Sequence, residues 1–275
     1  MRLMVMAPID NSLYARLICA SLLKEDEVQI CGIIVRSHWN ITRFRNEFRR
    51  DGSRLIKKVV DKYLLGDRRY LNDPDDNLSL IADSVKLKYR SLSELAKEQR
   101  IPYLKVINLN EEKSIGFMED IEPQLILFTG GGILRKKVLE IPEIGVINCH
   151  SGILPFFRGM DVVEWTAAED RITSIGFGVS LHIMDSGVDT GPILATKKID
   201  LFEGDTFEKI RKRLEVTMVA LMLAGVKGLR DGLISPQIQD KRAGKQYYVI
   251  HPRIKLYADD KLKNHIISSK SKSNN

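Results

Sequence analysis

Asn148 and His150 stand two residues apart where an apolar run, VINCH, comes to its end. On a regular strand, residues at this spacing point to the same side. An amide can donate to an oxygen that is gaining negative charge, and an imidazole can move protons near neutral pH. The pair therefore suits acyl transfer. Asp189 is the natural third member, within the segment DSGVDTGP at 185–192. A carboxylate beside the imidazole raises its basicity and can relay a proton. Taken singly, each residue has a structural alternative. His150 reads equally as a satisfied core histidine. Asp189 reads as a turn residue, because Asp-Thr-Gly-Pro is good turn chemistry.

The surrounding elements must place these groups. Segments 2–8 and 28–36 are short apolar runs separated by residues with helical spacing, a βαβ start that argues for a parallel sheet. A capping box at Ser91 and Glu94 opens a helix, followed by a strand over 101–107. A short helix follows at 111–119. Segment 124–129 (QLILFT) is a near-continuous apolar run and reads as a buried strand. It ends in Gly130, Gly131 and Gly132, then Ile133 and Leu134. Glycines at the C-terminal end of a parallel strand permit close backbone approach to a ligand; the alternative is a flexible turn. Further strands are expected at 144–148, 174–184 and 192–199, the last two pairing antiparallel. Helices are expected at 161–169 and from 205 to about Arg230. Segment 71–79 reads as a loop. His182 falls on the strand that leads into Asp185, as a neighbour of the site or as a structural residue.

With 44% apolar residues the chain can bury a substantial core. No apolar run is long enough to span a membrane. The first residues read as a core strand rather than a signal peptide. The cysteines Cys19, Cys31 and Cys149 lack metal-site spacing, so no zinc site and no disulfide framework is expected, which fits a cytoplasmic protein. No GxGxxG or P-loop glycine pattern follows the first strand. The net charge of +7 is concentrated: residues 36–70 hold eleven Lys/Arg against four Asp/Glu, and residues 241–275 hold nine against two. Segment 37–90 reads as an insertion with one or two basic amphipathic helices. They present either solvated faces or a flap over an anionic substrate. The closing SSKSKSNN reads as a disordered polar tail.

Taken together, Asn148-Cys149-His150, Ile153-Leu154-Pro155, Arg158-Gly159 and the 185–192 segment resemble the signature of the folate-dependent formyltransferase family. The order and the gap between the halves agree, and a weaker resemblance runs from residue 1 to about 230. It implies an α/β, three-layer Rossmann-like fold with a mainly parallel twisted sheet and helices on both faces. Residues 1–232 would form the catalytic domain, interrupted by the insertion at about 37–90, and 233–275 a C-terminal extension.

The resemblance also implies transfer of a formyl group from N10-formyltetrahydrofolate to a primary amine, with no metal. Asn148 would hold the formyl oxygen. His150 would assist proton transfer and stabilise the tetrahedral intermediate. Asp189 would pair with His150 and help deprotonate the amine. Donor contacts would come from Gly131, Gly132, Ile133, Leu134, Ile153, Leu154, Pro155 and Asp185. One departure is Gly152, where the family usually carries Ser. The acceptor is read as a small molecule, a nucleotide-linked amino sugar. Transfer RNA is set aside because only about 45 residues follow the core helix. Two alternatives remain open: hydrolysis of the formyl folate, and a degenerate fold that binds polyanions. The oligomeric state stays open as well.

Overall fold

The structure, a computed structural model, describes residues 1–37, 77–240 and 242–273. Most of the expected basic insertion, 38–76, lies outside the described residues. The described part of that region includes helix α2 (Asn77–Ser84). It takes in residues expected to end a loop. The chain forms two compact units, Met1–Ile144 and Gly145–Asn275.

In the first unit four parallel strands lie in the order β3-β2-β1-β4. They are β1 (Arg2–Ala7), β2 (Gln29–Arg36), β3 (Tyr103–Val106) and β4 (Leu125–Phe128). Helix α1 (Leu13–Leu22) joins β1 to β2, α3 (Leu92–Glu98) precedes β3, and α4 (Glu112–Ile121) joins β3 to β4. A parallel strand covered on both faces needs apolar side chains throughout. Accordingly Leu3 to Ala7 are wholly buried, and Leu125, Ile126 and Leu127 with them. Half of the expected capping box forms: Ser91 Oγ accepts from the Glu94 N–H at 3.1 Å, while Glu94 Oε2 accepts at 2.6 Å from the N–H of Arg90, one residue before the cap. Asp10, in the first βα turn, accepts from the Ser93 N–H and Oγ and from the Tyr103 hydroxyl. This ties the turn after β1 to α3 and β3. Helix α5 (Lys136–Leu139) ends the glycine loop that follows β4.

In the second unit β5 (Gly145–His150), β7 (Phe177–Ile183) and β8 (Ile193–Ile199) form antiparallel pairs in the order β5-β7-β8. The expected antiparallel partnership of the last two is present. Helix α7 (Phe207–Arg230) packs on all three strands. Its Gly225 has no room for a Cβ against the Leu181 side chain, so the helix axis can come close to β7. A second, two-stranded sheet pairs β6 (Phe157–Gly159) with β9 (Lys245–Tyr247) in parallel. Helix α6 (Val162–Ala168) follows β6 and packs against α8 (Pro252–Ser273).

Two features here depart from expectation. The C-terminal residues, read as an extension with a disordered end, form β9 and α8, and α8 runs to Ser273. The physical reason is tertiary: Ala258 and Leu262, four apart on one helix face, are buried, and α8 packs against α6. The second is β6, which no periodicity announced.

Candidate active site

Strand pleating builds the site. In the β5–β7 ladder Asn148 lies opposite His182, and His150 opposite Ser180. Successive side chains alternate between faces, so all four share one face of the ladder. Asn148 Nδ2 stands 3.3 Å from His182 Nε2. His182 Nδ1 faces the Ile183 carbonyl at 3.1 Å. With a proton on Nδ1, Nε2 accepts from the Asn148 amide; with a proton on Nε2, it donates to the Asp189 carboxylate.

The loop after β7 brings the carboxylate in. Asp189 Oδ2 lies 3.4 Å from His150 Nδ1, and Oδ1 lies 3.5 Å from His182 Nε2. The Gly159 N–H donates to Oδ2 at 2.9 Å. Asp189 itself has φ +52°, a left-handed conformation that Asp tolerates better than most residues. Asp185 shapes this loop from within: its Oδ1 accepts from the Gly187 N–H at 3.0 Å and the Thr190 hydroxyl at 2.6 Å.

The carboxylate and the imidazole are tuned in ways their surroundings explain. Burial alone would raise the Asp189 carboxyl. His182, His150 and the Gly159 N–H outweigh it together and hold the carboxyl at about 2. His150 is buried, and desolvation moves its pKa below the ordinary value against the opposing pull of Asp189 and the Phe157 carbonyl. Its Nε2 lies 2.8 Å from that carbonyl oxygen, so Nε2 carries a proton and donates. Nδ1 then faces a carboxylate. One further proton fits between Nδ1 and Asp189, and only there does the ring satisfy both oxygens.

The loop between β5 and β6 is fixed from β7. Buried Ser180 donates from Oγ to the Gly152 carbonyl at 2.9 Å and accepts from the Leu154 N–H at 3.0 Å. A Cβ at Gly152 would lie 2.8 Å from His150 Nε2. That crowding gives a physical reason for glycine at this position. Leu154–Pro155 is a cis peptide. Ile153 is buried in a cluster with Phe157, Val162, Ile175 and Tyr247, so its side chain serves the core. Leu154 is buried too.

In the first unit, Gly130, Gly131 and Gly132 all have positive φ, between +115° and +128°, which L side chains rarely adopt. Arg36 Nη1 donates to the Gly131 carbonyl at 2.5 Å. Asn110 bridges the next residues, donating to the Ile133 carbonyl at 2.9 Å and accepting from the Arg135 N–H at 2.6 Å. Ile133 is exposed and Leu134 buried.

The structure therefore gathers Asn148, His150 and Asp189, as their types and order led one to expect. The structure also sets His182, expected as a neighbour of the site or a structural residue, against Asp189, and it adds Ser180, which sequence reasoning did not name. The alternation of β7 marks 180 and 182 as one face, but their register against β5 is not written locally. Among the described residues no helix is long and apolar enough to cross a membrane.

A family model described as formyl transferase matches residues 82–225, just over half of the chain. A methionyl-tRNA formyltransferase of Thermodesulfovibrio yellowstonii is 31% identical over 155 residues, covering 56% of this chain and 49% of the relative. The chain spans about half the length of the curated relatives it matches. Among solved structures, a sugar N-formyltransferase from a Shewanella species has a TM-score of 0.55 at 15% identity, covering 94% of this chain and 87% of that one. An N-formyltransferase from Helicobacter canadensis, solved with folinic acid and dTDP-3-aminofucose, has a TM-score of 0.54 at 16% identity, covering 89% and 70%. These likenesses show the shared Rossmann-like formyltransferase fold. The curated relatives also overturn the exclusion of tRNA, since they are named as methionyl-tRNA formyltransferases. That exclusion rested on the residues after the core helix. The amine that the catalytic part takes is not set by how many residues follow it.

Proposed function

We propose, for a chain that belongs to the formyl transferase family, that it moves a formyl group from N10-formyltetrahydrofolate to a primary amine. One observation carries this reading: a buried imidazole and a strongly acidic carboxylate bracket a single proton site, beside an amide on the same sheet face.

The donor, when bound, supplies an activated formyl carbon. The residues of this chain do the rest. Asn148 Nδ2 carries two hydrogens, one directed at His182. The other is available to the formyl oxygen as it gains negative charge. The amine forms a C–N bond to the formyl carbon while the bond to the folate nitrogen breaks. The amine gives up a proton, which lodges between His150 Nδ1 and Asp189, and the leaving nitrogen takes up one proton. His150, charged at that moment, stabilises the oxygen electrostatically.

Donor contact in the first unit falls to Gly131, Gly132, Ile133 and Leu134. A Cβ at Gly131 would meet Leu109 at 3.0 Å, and one at Gly132 would meet Arg36 at 3.2 Å. The bare backbone with Ile133 beside it suits a flat ring with polar edges. In the second unit, Pro155 and the 185–189 loop carry the same proposal, while buried Ile153 and Leu154 support it from beneath.

The acceptor chemistry is a primary amine. Two acceptors present one: methionyl-tRNA, named for the curated relatives, and a nucleotide-linked amino sugar. The test is incubation with N10-formyltetrahydrofolate and each amine in turn, following tetrahydrofolate release and the formylated product. Release with one amine supports the reading and names the acceptor. Formate release without any amine replaces transfer with hydrolysis. No turnover and no folate binding overturns the proposal.

A further inference from the structure

Gln239 lies beyond the residues that the family model matches, in the irregular stretch between α7 and β9. Its side chain is nonetheless built into the loop that carries Asp189. Nε2 donates to the Asp189 carbonyl at 3.1 Å and to the Gly191 carbonyl at 2.5 Å. Two carbonyl acceptors on one end of the side chain fix that end as the NH2 group. The residue is 7% exposed, and its Oε1 is buried with no hydrogen-bond partner among the described residues.

The loop gives these two bonds something to hold. Asp189 stands at φ +52°, and Gly191 is pressed so closely on the Ile183 carbonyl that no Cβ fits. Asp185 pins the inner side of the loop through Gly187 and Thr190. The stretch around Gln239 is itself anchored: Gln237 exchanges backbone hydrogen bonds with Ile193, and Arg158 Nη2 donates to the Gly244 carbonyl at 3.0 Å.

We infer that Gln239 is a positioning residue for the formyl-transfer site, clamping the backbone on both sides of Thr190 so that the Asp189 carboxylate meets His150 and His182. The inference rests on the proposed function for its kinetic consequence, but not for its geometric one. Gln239→Met keeps length and volume and removes both donors. Gln239→Glu keeps the shape and sets a carboxylate against two carbonyls.

The experiment has two readouts on the folded variants. In steady-state kinetics, kcat falls at least about tenfold in both variants while KM for the donor stays within about twofold, as expected for a displaced catalytic group. In NMR titration of the imidazole rings, the His150 resonance titrates differently from wild type, since the carboxylate that faces it has moved. Asp189 and His182 are the other ionisable groups in its contact. Unchanged kcat and an unchanged His150 titration in folded Gln239→Met overturn the inference. If the wild-type protein transfers no formyl group, the titration alone decides it, so the two failures are distinguishable. Should Gln239→Met not fold, Gln239→Glu provides the same two readouts.

Discussion

Asn148 and His182 face each other across the β5–β7 ladder, with the amide nitrogen 3.3 Å from Nε2. This contact joins the group proposed to hold the reacting oxygen to one of two imidazoles that touch Asp189. The site is thus a single connected set of polar groups: Asn148, His182, Asp189, His150. A change at one end is felt at the other.

Asp189→Asn removes the charge but keeps the shape. The Gly159 N–H still finds an oxygen, so the loop keeps its place. Turnover should fall by about 10²- to 10⁴-fold, the usual range for losing a positioned acid–base group. Equilibrium folate binding should change little. Turnover within a factor of two of wild type removes Asp189 from the mechanism.

Acid should expose the same carboxylate through stability. Its pKa is depressed from 3.8 to about 2 in the folded protein. The stabilisation it brings is therefore present above its unfolded value and lost as pH falls through the folded one. Roughly 2 kcal/mol is expected to disappear between about pH 4 and pH 2. His150, depressed by burial, acts in the same direction at higher pH: the unfolded chain takes up its proton first, and stability drops as pH falls through the ordinary histidine range. Denaturant unfolding at a series of pH values measures both slopes. Asp189→Asn should flatten the lower one and enlarge the upper one, because the carboxylate's opposing pull on His150 is gone.

Ser180→Ala strands two buried backbone groups, the Gly152 carbonyl and the Leu154 N–H. Its cost should be about 2 kcal/mol of unfolding free energy, read from urea denaturation. Because those groups fix the loop beside His150, kcat should fall as well. A stability loss with unchanged kcat would separate the loop from the chemistry.

Gly131→Ala asks for a side chain at φ +128° and 3.0 Å from Leu109. Conformational strain of about 1–2 kcal/mol should move the glycine loop. Folate KM is expected to rise by about tenfold, while the His150 titration stays as in wild type. Donor affinity equal to wild type would remove this loop from donor contact.

The strands that carry the site were legible because burial writes itself into composition. Segment 124–129 and the first two strands are apolar throughout, and β7 alternates. Asn148, His150 and Asp189 were legible as types in a fixed order, though not as neighbours, because the distance between them is set by an antiparallel register. Strand β6 was invisible: three residues, paired far along the chain, give no period to read. Gln239 sits in a polar stretch, and its value comes from two backbone carbonyls elsewhere. The C-terminal helix was misread because Ser and Lys dominate its end, while the buried pair Ala258 and Leu262 comes earlier.

The pairing of β6 with β9 also sets a timetable for synthesis. Gly159, whose N–H steadies Asp189, belongs to a strand whose hydrogen-bonding partner ends at Tyr247. A chain emerging from the ribosome holds Asn148, His150 and Asp189 long before that partner exists. Contacts between residues so distant in sequence form late. The nascent protein therefore carries all three site residues without β6 zipped in place, and the site reaches its final geometry only after residue 247 has left the ribosomal tunnel.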